Sequence, residues 1–451
     1  MKKRLTLSET LAVGSMLFGL FFGAGNLIFP VFMGQSAGSN VWIAIIGFLI
    51  TGVGIPLLGV ASLGMSRSEG LLEMSGKVGK KYAVFFTIAL YLTIGPFFAI
   101  PRCASTSFSV GLRPMINDPM TANIATWIFS FLFFAAVLWF SLRPGKILTW
   151  VGRILTPLFL ICLAILIVTA LVRPAGDYTA VEPQAAYKSA SFFTGFIDGY
   201  NTMDALASLA FGIVIVNAIR GVGVKEPAAI AKNTVISGIL GCAVMALIYG
   251  ALAIAGAQSR AIYPLSADGG EALNLIARHY FGDIGGIVLA VTVTLACLKT
   301  AVGLITSCGE TFCEIFPKGP KYHHFAIGFC ILSFLISTIG LSAIVSWSLP
   351  VLMFLYPLAI TLILLALCGN LFGNDRRVYV SVTVFTFVAA IFDLTKSLPG
   401  KLPEAPVIKQ INDIGSLLPF SDIGLGWVCP AAVGLAVGLV LKLIFGKRKK
   451  A

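Results

Sequence analysis

Small and polar residues interrupt two apolar segments of the sequence, and they are the first candidates for chemistry. The stretch FGLFFGAGNLIFP at 18–30 contains Gly23, Ala24, Gly25 and Asn26. The stretch FFTGFIDGYNTMDALASLAFG at 192–212 contains Gly199, Tyr200, Asn201 and Thr202. In an apolar environment an unpaired backbone N–H or C=O is costly, so an irregular backbone survives only where something else satisfies it. Freed N–H groups at a helix N-terminus attract carboxylates, and freed carbonyls coordinate cations.

Close helix packing is the alternative explanation for the glycines of the first segment. It does not explain the second segment, where packing has no need for Asp198, Asn201 and Asp204. Taken together, the two interruptions predict a binding site at which both broken segments meet.

Two basic residues also lie within apolar segments, where ionisable groups are expensive and usually functional. Arg102, in GPFFAIPRCAS at 95–105, lies at a depth similar to that of Asp198, and a gate or a structural ion pair between them is one hypothesis, with Asp204 as a further gate candidate. The alternatives are that Arg102 reaches outward to water or bonds freed carbonyls. Lys299, in LACLKTAVGLITSCGE at 295–310, is a fixed or titrating cation, or it reaches a helix end or pairs with an acid such as Asp204.

The elements that must position these residues are membrane-spanning helices. The 451 residues are 58% hydrophobic and 11% charged, with a mean hydropathy of +0.95, whereas soluble domains carry about 25% charged residues. Apolar stretches of about 20 residues predict spanning helices. They lie near 8–33, 41–64, 82–110, 122–141, 148–172, 192–219, 229–256, 282–316, 322–346, 348–371, 377–394 and 422–445. The sequence therefore predicts an all-α polytopic membrane protein with twelve transmembrane helices.

The interrupted helices are the first and the sixth, so each opens a set of five. Because five is odd, the two sets would have opposite polarity in the membrane, which is typical of secondary transporters with inverted repeats. We expect one transmembrane domain over 1–451, with repeats at about 8–172 and 192–371 and two extra helices at about 377–445. Residues 257–281 predict a short outer helix, and 395–421 a Pro-rich outer loop.

The distribution of charge predicts the orientation. The termini and the loops on their side hold 22 Lys and Arg, against 8 in the opposite loops, which places both termini in the cytoplasm. This distribution also explains the net charge of +13 without a nucleic-acid partner.

Enzymatic and metal chemistry have little support in the sequence. The nine cysteines are scattered singly, so neither a disulfide framework nor a zinc site is indicated. The sequence lacks GxSxG, HExxH and P-loop motifs. The adjacent His323 and His324 are weak evidence for a metal, and no cofactor is expected beyond a coupling ion.

Several motifs together resemble one transporter family. FGLFFGAGNLIFP, GPFFAIPR, GYNTMD followed by FGIVIVNAIR, and CLKTAVGL are similar in content and order to the bacterial branched-chain amino acid:cation symporter family. The resemblance implies the leucine-transporter-like fold of the amino acid–polyamine–organocation superfamily, with helices 1 and 6 broken in mid-membrane. It also implies import of leucine, isoleucine and valine across the bacterial cytoplasmic (inner) membrane, driven by sodium or protons.

The resemblance further implies roles for individual residues at the substrate site. Backbone amides at Gly23, Ala24, Gly25 and Asn26 would hold the substrate α-carboxylate. Carbonyls of the 199–202 segment would receive the α-ammonium, with Asp204 orienting the site. Phe21, Phe22 and Phe97 are candidates for the apolar wall.

The sodium site of this fold pairs carbonyls of the first helix, here near Phe22, with an A-x-x-[ST]-[ST] motif in the eighth. The match at Ala296 puts Lys299 in place of the first hydroxyl and Thr300 at the second. A downstream match instead supplies Thr306 and Ser307. In the first register Lys299 could replace sodium with its own charge; in the second, sodium would bind as usual.

Two other functions stay open at this point. One is transport of another small solute, such as a different amino acid or a nucleobase, by the same fold. The other is a substrate sensor with a transporter-like fold, although both predicted cytoplasmic tails are short. The lipid bilayer is an expected partner, and nothing in the sequence indicates an oligomeric state.

Overall fold

The computed structural model describes residues 4–66, 68, 70–142 and 156–446, and the regular elements of these residues are helices. The start of the predicted span at 148–172, Lys2, Lys3 and the basic residues at 447–450 lie outside the described residues. In chain order the first nine helices are α1 (Leu7–Phe21), α2 (Ala24–Ala37), α3 (Val41–Leu49), α4 (Ile55–Met65), α5 (Leu71–Gly76), α6 (Lys80–Leu92), α7 (Ala99–Gly111), α8 (Pro119–Ser141) and α9 (Thr156–Val172). The second nine are α10 (Ala185–Asp198), α11 (Asp204–Gly221), α12 (Pro227–Arg260), α13 (Gly269–Ile315), α14 (Tyr322–Ser337), α15 (Leu341–Cys368), α16 (Arg376–Lys396), α17 (Pro406–Gly415) and α18 (Val428–Gly446).

Many of these helices have the length and composition of membrane spans. Among the described residues, eight are long and apolar enough to cross a bilayer, or nine if the bent helix α11 counts as one span. Three further apolar helices are shorter: Leu7–Phe21, Leu160–Val172 and Tyr322–Ser337. The architecture is therefore that of a multi-pass membrane protein.

Close helix crossings hold the centre of the molecule together, and glycines make them possible. A Cβ on Gly34 of α2 would lie 1.9 Å from the Ala253 carbonyl oxygen of α12, and one on Gly256 of α12 would lie 2.1 Å from the Val31 carbonyl oxygen of α2. The pair α3 and α10 repeats this arrangement through Gly47 and Gly195, each of which faces a carbonyl of the other helix. Small residues let helix backbones approach in this way where lipid offers no hydrophobic drive for association.

Several predicted spans are divided in the structure, and two of these interruptions lie in the segments that the sequence singles out. Between α1 and α2, Phe22 and Gly23 have extended backbones. Between α10 and α11, a 3-10 turn at Gly199–Thr202 is followed by Met203 in the left-handed region, with φ 63°. The α2 helix packs against α12 and α13, and α3 packs against α10, which brings the two interruptions together.

Three predicted boundaries were wrong. The division predicted at 346–348 lies at residues 338–340 instead, where Gly340 has a φ of +93° that favours glycine and ends the helical path. The predicted outer helix at 257–281 begins only at Gly269, because Asp268 caps it by accepting hydrogen bonds from the N–H groups of Gly270 and Glu271. The predicted loop at 395–421 contains the ten-residue helix α17.

Candidate functional site

The N-terminus of α2 forms one wall of the candidate site. The chain leaves α1 at Phe21 and enters α2 at Ala24, so the backbone N–H groups of the first turn have no partner within the helix. The side chain of Asn26 satisfies one neighbouring group, since its Oδ1 accepts a hydrogen bond from the Gly23 N–H at 2.8 Å. The other N–H groups of this turn are available as donors on the side where the interruption opens.

A buried network ties this wall to the second interruption. Asn26 Nδ2 donates to Asp204 Oδ2 at 2.7 Å and also contacts the Tyr249 hydroxyl, which donates to the same carboxylate oxygen at 2.7 Å. All three side chains are buried. Asp204 therefore holds the side chain of Asn26 at the start of α2.

The second wall offers acceptors. Within the 3-10 turn, the carbonyl of Asn201 accepts a hydrogen bond from Arg102 Nη1 at 2.7 Å. The hydroxyl of Thr202 donates back to the Gly199 carbonyl at 2.9 Å. The left-handed residue Met203 turns the chain sharply into α11.

Both walls line one cavity, together with parts of three other helices. Its polar and glycine lining consists of Gly23, Gly25, Asn26, Arg102, Thr202, Asp204 and Thr300. Its apolar lining consists of Leu20, Phe21, Ile94, Ala99, Cys103, Met203, Ala207, Phe211 and Leu304. One face of the cavity thus presents charges and backbone dipoles, and the rest presents aliphatic and aromatic carbon.

Arg102 does not pair with Asp198, so the hypothesis of an ion pair between these two residues is wrong. Asp198 instead accepts a hydrogen bond from the Tyr187 hydroxyl. Arg102 is buried, with its guanidinium carbon 5.0 Å from the centroid of the Phe29 ring. The predicted alternative in which Arg102 bonds a freed carbonyl matches its bond to Asn201.

In the eighth predicted span, the match that begins at Ala296 lies beside the first interruption. The downstream match does not. Thr300 Oγ1 lies 3.5 Å from the Phe22 carbonyl oxygen and 3.2 Å from that of Ala296. A Cβ on Gly23 would lie 3.0 Å from the Thr300 methyl group. Lys299, adjacent in sequence, is buried.

The downstream hydroxyls lie elsewhere. Thr306 donates to the Val302 carbonyl of its own helix at 2.9 Å and is 3.5 Å from the Tyr322 hydroxyl of α14. Its neighbour Ser307 is buried. Both residues follow Thr300 by nearly two helical turns, away from Phe22.

Some predicted site residues have packing contacts instead. A Cβ on Gly199 would lie 1.9 Å from Thr51 Oγ1, so this glycine permits the approach of α10 to the α3–α4 junction. Tyr200 is fully buried and its ring stacks on that of Tyr356 at 4.0 Å between centroids. Of the predicted apolar wall, Phe21 lines the cavity, whereas Phe22 stacks on Phe18 and Phe97 is 38% exposed.

Other polar residues around the site could not be identified from the sequence. Tyr249 lies in the middle of α12 and is one of several tyrosines in apolar segments, so only its contact with Asp204 distinguishes it. Asp393 of α16 is 4% exposed and faces the Tyr200 hydroxyl together with the Trp427 indole. Its position near the end of a predicted span resembles that of an ordinary capping residue.

Comparison with solved structures defines the class of the protein. The chain superposes on Mhp1, a nucleobase-cation-symport-1 family transporter in a closed conformation with bromovinylhydantoin bound, with a TM-score of 0.63 at 14% identity, covering 97% of this chain and 93% of that one. It superposes on MhsT in complex with L-phenylalanine with a TM-score of 0.53 at 15% identity, covering 95% and 98%. The molecule is thus an α-helical membrane protein with the leucine-transporter-like fold.

The sequence relatives identify the family. The model of the branched-chain amino acid transport protein family matches residues 6–445. The chain is 50% identical over 450 residues to the branched-chain amino acid permease BrnQ of Lactobacillus delbrueckii subsp. lactis, covering 100% of both chains. It is 40% identical over 448 residues to BrnQ of Bacillus subtilis (strain 168), covering 98% of this chain and 99% of the relative. The chain therefore belongs to the branched-chain amino acid transport protein family, whose matched members are named as permeases and not as enzymes.

Proposed function

We propose that the protein is a secondary active symporter that imports leucine, isoleucine and valine together with a cation. Alternating access takes place around the cavity between the two interruptions. The twelve predicted spans lie in the bacterial cytoplasmic membrane, and both termini face the cytoplasm.

The observation that carries this proposal is the meeting of two helix interruptions in one cavity. Gly23, Gly25 and Asn26 come from the first interruption, and Thr202 and Asp204 from the second. Broken helices that meet in this way place N–H donors and carbonyl acceptors around a small charged solute. A zwitterionic amino acid requires both kinds of group.

Helix packing supports the inverted repeat. If the predicted spans are numbered in order, span 1 packs on span 7 through α2 and α12, and span 2 packs on span 6 through α3 and α10. Exchanging the two five-helix sets converts one of these pairs into the other. Both pairs have reciprocal glycine contacts, as expected if the two five-helix sets are repeats of each other.

The apolar part of the lining matches the chemistry of a branched-chain side chain. Ile94, Ala207, Phe211 and Leu304 provide aliphatic and aromatic carbon in the lining. The relatives at 50% and 40% identity are named as branched-chain amino acid permeases, which favours this substrate class over a nucleobase.

The register of α13 supports a proposal for the coupling ion. Phe22 and Ala296 carbonyls and the Thr300 hydroxyl meet where the fold binds sodium, but the preceding position carries Lys299 instead of a hydroxyl residue. A buried ammonium would repel a sodium ion beside it, and this repulsion is strong where the effective dielectric constant is low. We therefore propose that protons drive uptake and that Lys299 provides the positive charge at this place.

Uptake of labelled leucine into proteoliposomes tests both parts of the proposal. Sodium and proton gradients are imposed separately on wild type and Lys299→Ala. We expect accumulation in the wild type under the proton gradient, and in Lys299→Ala only exchange of external for internal leucine. Sodium-driven accumulation in the wild type would contradict the coupling proposal, and absence of leucine uptake under every gradient would contradict the substrate.

Thr300→Ala and Thr306→Ala form a matched pair that tests the register. Thr300 contacts the first interruption, whereas the Thr306 hydroxyl bonds within its own helix. Loss of one buried hydrogen bond of about 1–1.5 kcal/mol predicts a roughly tenfold decrease in gradient-driven uptake for Thr300→Ala. Thr306→Ala should stay near wild type, and the reverse order would favour the downstream register.

A further inference from the structure

We infer that Arg102 binds the α-carboxylate of the substrate together with the N-terminal N–H groups of α2. This inference rests on the proposed function and specifies which polar groups bind the substrate. An arginine of α7 contacts the substrate carboxylate, whereas the resemblance implied backbone amides alone.

The guanidinium of Arg102 lies directly against the first turn of α2. A Cβ placed on Gly25 would be 2.8 Å from Arg102 Nη2 and 3.3 Å from its guanidinium carbon. The same side chain lines the cavity with Gly23, Gly25 and Asn26. A ligand bound at the α2 N-terminus would therefore touch Arg102.

Part of the guanidinium lacks a hydrogen-bond partner. Arg102 is 3% exposed, and its Nε is buried without a partner among the described residues. Nη1 is used by the Asn201 carbonyl. A buried N–H without a partner is costly, and a carboxylate is the acceptor that matches the guanidinium fork.

The positive charge around Gly25 also favours the binding of an anion. A helix N-terminus carries roughly half a positive elementary charge, and arginine remains protonated in proteins. Two positive features thus converge at Gly25, while the carboxylate of Asp204 is engaged by Asn26 and Tyr249. A bound carboxylate would accept hydrogen bonds from both positive features at once.

A purely structural role for Arg102 is the competing explanation. Its bond to Asn201 could brace the second interruption, but this bond uses only one of the five guanidinium N–H donors. A brace also gives no reason for the guanidinium to lie at the end of a helix dipole that disfavours a cation. Carboxylate binding explains the bond, the position and the unsatisfied Nε together.

The inference makes a prediction about ligand chemistry that a brace does not make. Leucinamide has the side chain and the ammonium of leucine but no carboxylate. If Arg102 provides the counter-charge, the preference for leucine over leucinamide depends on Arg102. A brace would lower the affinity for both ligands by the same factor.

The experiment measures the dissociation constants of leucine and leucinamide by calorimetry. The samples are wild type, Arg102→Gln and Arg102→Lys, each as the full chain purified in detergent. Glutamine retains a donor for the Asn201 carbonyl without the charge. In wild type we expect leucine to bind roughly 100-fold more tightly than leucinamide, as for a hydrogen-bonded charge pair of about 3 kcal/mol. In Arg102→Gln this ratio should fall below about fivefold, with Arg102→Lys between the two.

The outcomes separate failure of the inference from failure of the proposed function. A ratio that stays at the wild-type value in Arg102→Gln while both affinities fall would overturn the carboxylate role and support a brace. If Arg102→Gln does not fold, wild type and Arg102→Lys still test the inference: equal binding of leucine and leucinamide by wild type, or an unchanged ratio in Arg102→Lys, would contradict it. If wild type binds neither leucine nor any branched-chain amino acid, the proposed function itself fails.

Discussion

The two helix interruptions differ in how much of each belongs to the site. At the first, Gly23, Gly25 and Asn26 all line the cavity, and a side chain at Gly25 would strike Arg102. At the second, Gly199 and Tyr200 are packing residues, and the site begins only at the Asn201 carbonyl and Thr202. The first interruption presents donors to a ligand, and the second mainly presents acceptors.

This difference has a physical origin. A helix that starts at an interruption exposes N–H groups, so its glycines are needed to let a ligand approach the backbone. A helix that ends at an interruption exposes carbonyls, which protrude from the backbone and need no glycine beside them. Glycine in the second segment therefore serves the crossing with Thr51, and the chain turns at Met203 instead.

The largest effect is expected for Gly25→Val. A branched side chain there would meet the Arg102 guanidinium within 2.8 Å and the Phe29 ring within 3.2 Å. We expect loss of leucine binding by roughly 100-fold, the cost of losing charged hydrogen bonds worth about 3 kcal/mol. Equilibrium binding in detergent measures the loss.

Gly328→Val is the matched control for this substitution. Gly328 lies in α14, exposed on the surface of the molecule, and a Cβ there meets nothing within 4 Å. It should bind leucine like wild type. Binding by Gly25→Val at the wild-type level would remove the first interruption from the substrate site.

A smaller effect is expected for Tyr249→Phe. The substitution removes one of the two hydrogen bonds to Asp204 Oδ2 and leaves the one from Asn26. A hydrogen bond to a charged group is worth about 1.5 kcal/mol at the low end, so leucine affinity should fall roughly tenfold. Unchanged affinity would show that the network does not position the start of α2. Tyr91→Phe serves as the control, because the Tyr91 hydroxyl donates to the Ala210 carbonyl and not to Asp204.

For Gly199→Ala we expect a loss of stability instead of affinity. Its Cβ would lie 1.9 Å from Thr51 Oγ1 and 2.9 Å from the Phe48 carbonyl oxygen. Overpacking of this kind costs about 1–3 kcal/mol. The apparent melting temperature should fall while the folded fraction binds leucine normally.

The double variant Gly199→Ala with Thr51→Ala sharpens this prediction. Removing the Thr51 hydroxyl takes away the nearest clash, so part of the lost stability should return. A Gly199→Ala protein that keeps its melting temperature but loses leucine binding would place Gly199 in the site and make the two interruptions alike.

The smallest effect is expected for Tyr200→Phe. The Tyr200 ring stacks on Tyr356, and its hydroxyl faces Asp393 and Trp427, not the cavity lining. Phenylalanine preserves the stacking, so leucine affinity should change by less than about twofold, the range of substitutions that remove no ligand contact. A tenfold loss would assign the tyrosine hydroxyl to the site.

The helical fold and most of its elements could be predicted from the sequence. Apolar stretches, few charges and glycine-rich interruptions are local properties, and they indicate membrane helices without knowledge of their neighbours. The boundary at Gly340 could not be predicted, because apolar composition is continuous through it and only a positive φ ends the helix there.

The candidate site was predictable in outline but not in its contacts. Gly23, Gly25, Asn26, Thr202 and Asp204 stand out because their types are costly in an apolar segment, and the structure brings them to one cavity. The partners of these residues depend on the rotation of each helix about its axis. The sequence alone could not show that Arg102 faces Gly25 and not Asp198, or that Tyr249 meets Asp204.

The sequence by itself determined the kind of molecule and the two segments in which the candidate site residues are concentrated. It could do so because hydropathy and the cost of a broken backbone are properties of each segment alone. Only the tertiary structure decided which glycines open a site and which allow a crossing, since both need the same residue and differ only in what lies opposite. At Gly25 that neighbour is a guanidinium, and at Gly199 it is a threonine hydroxyl.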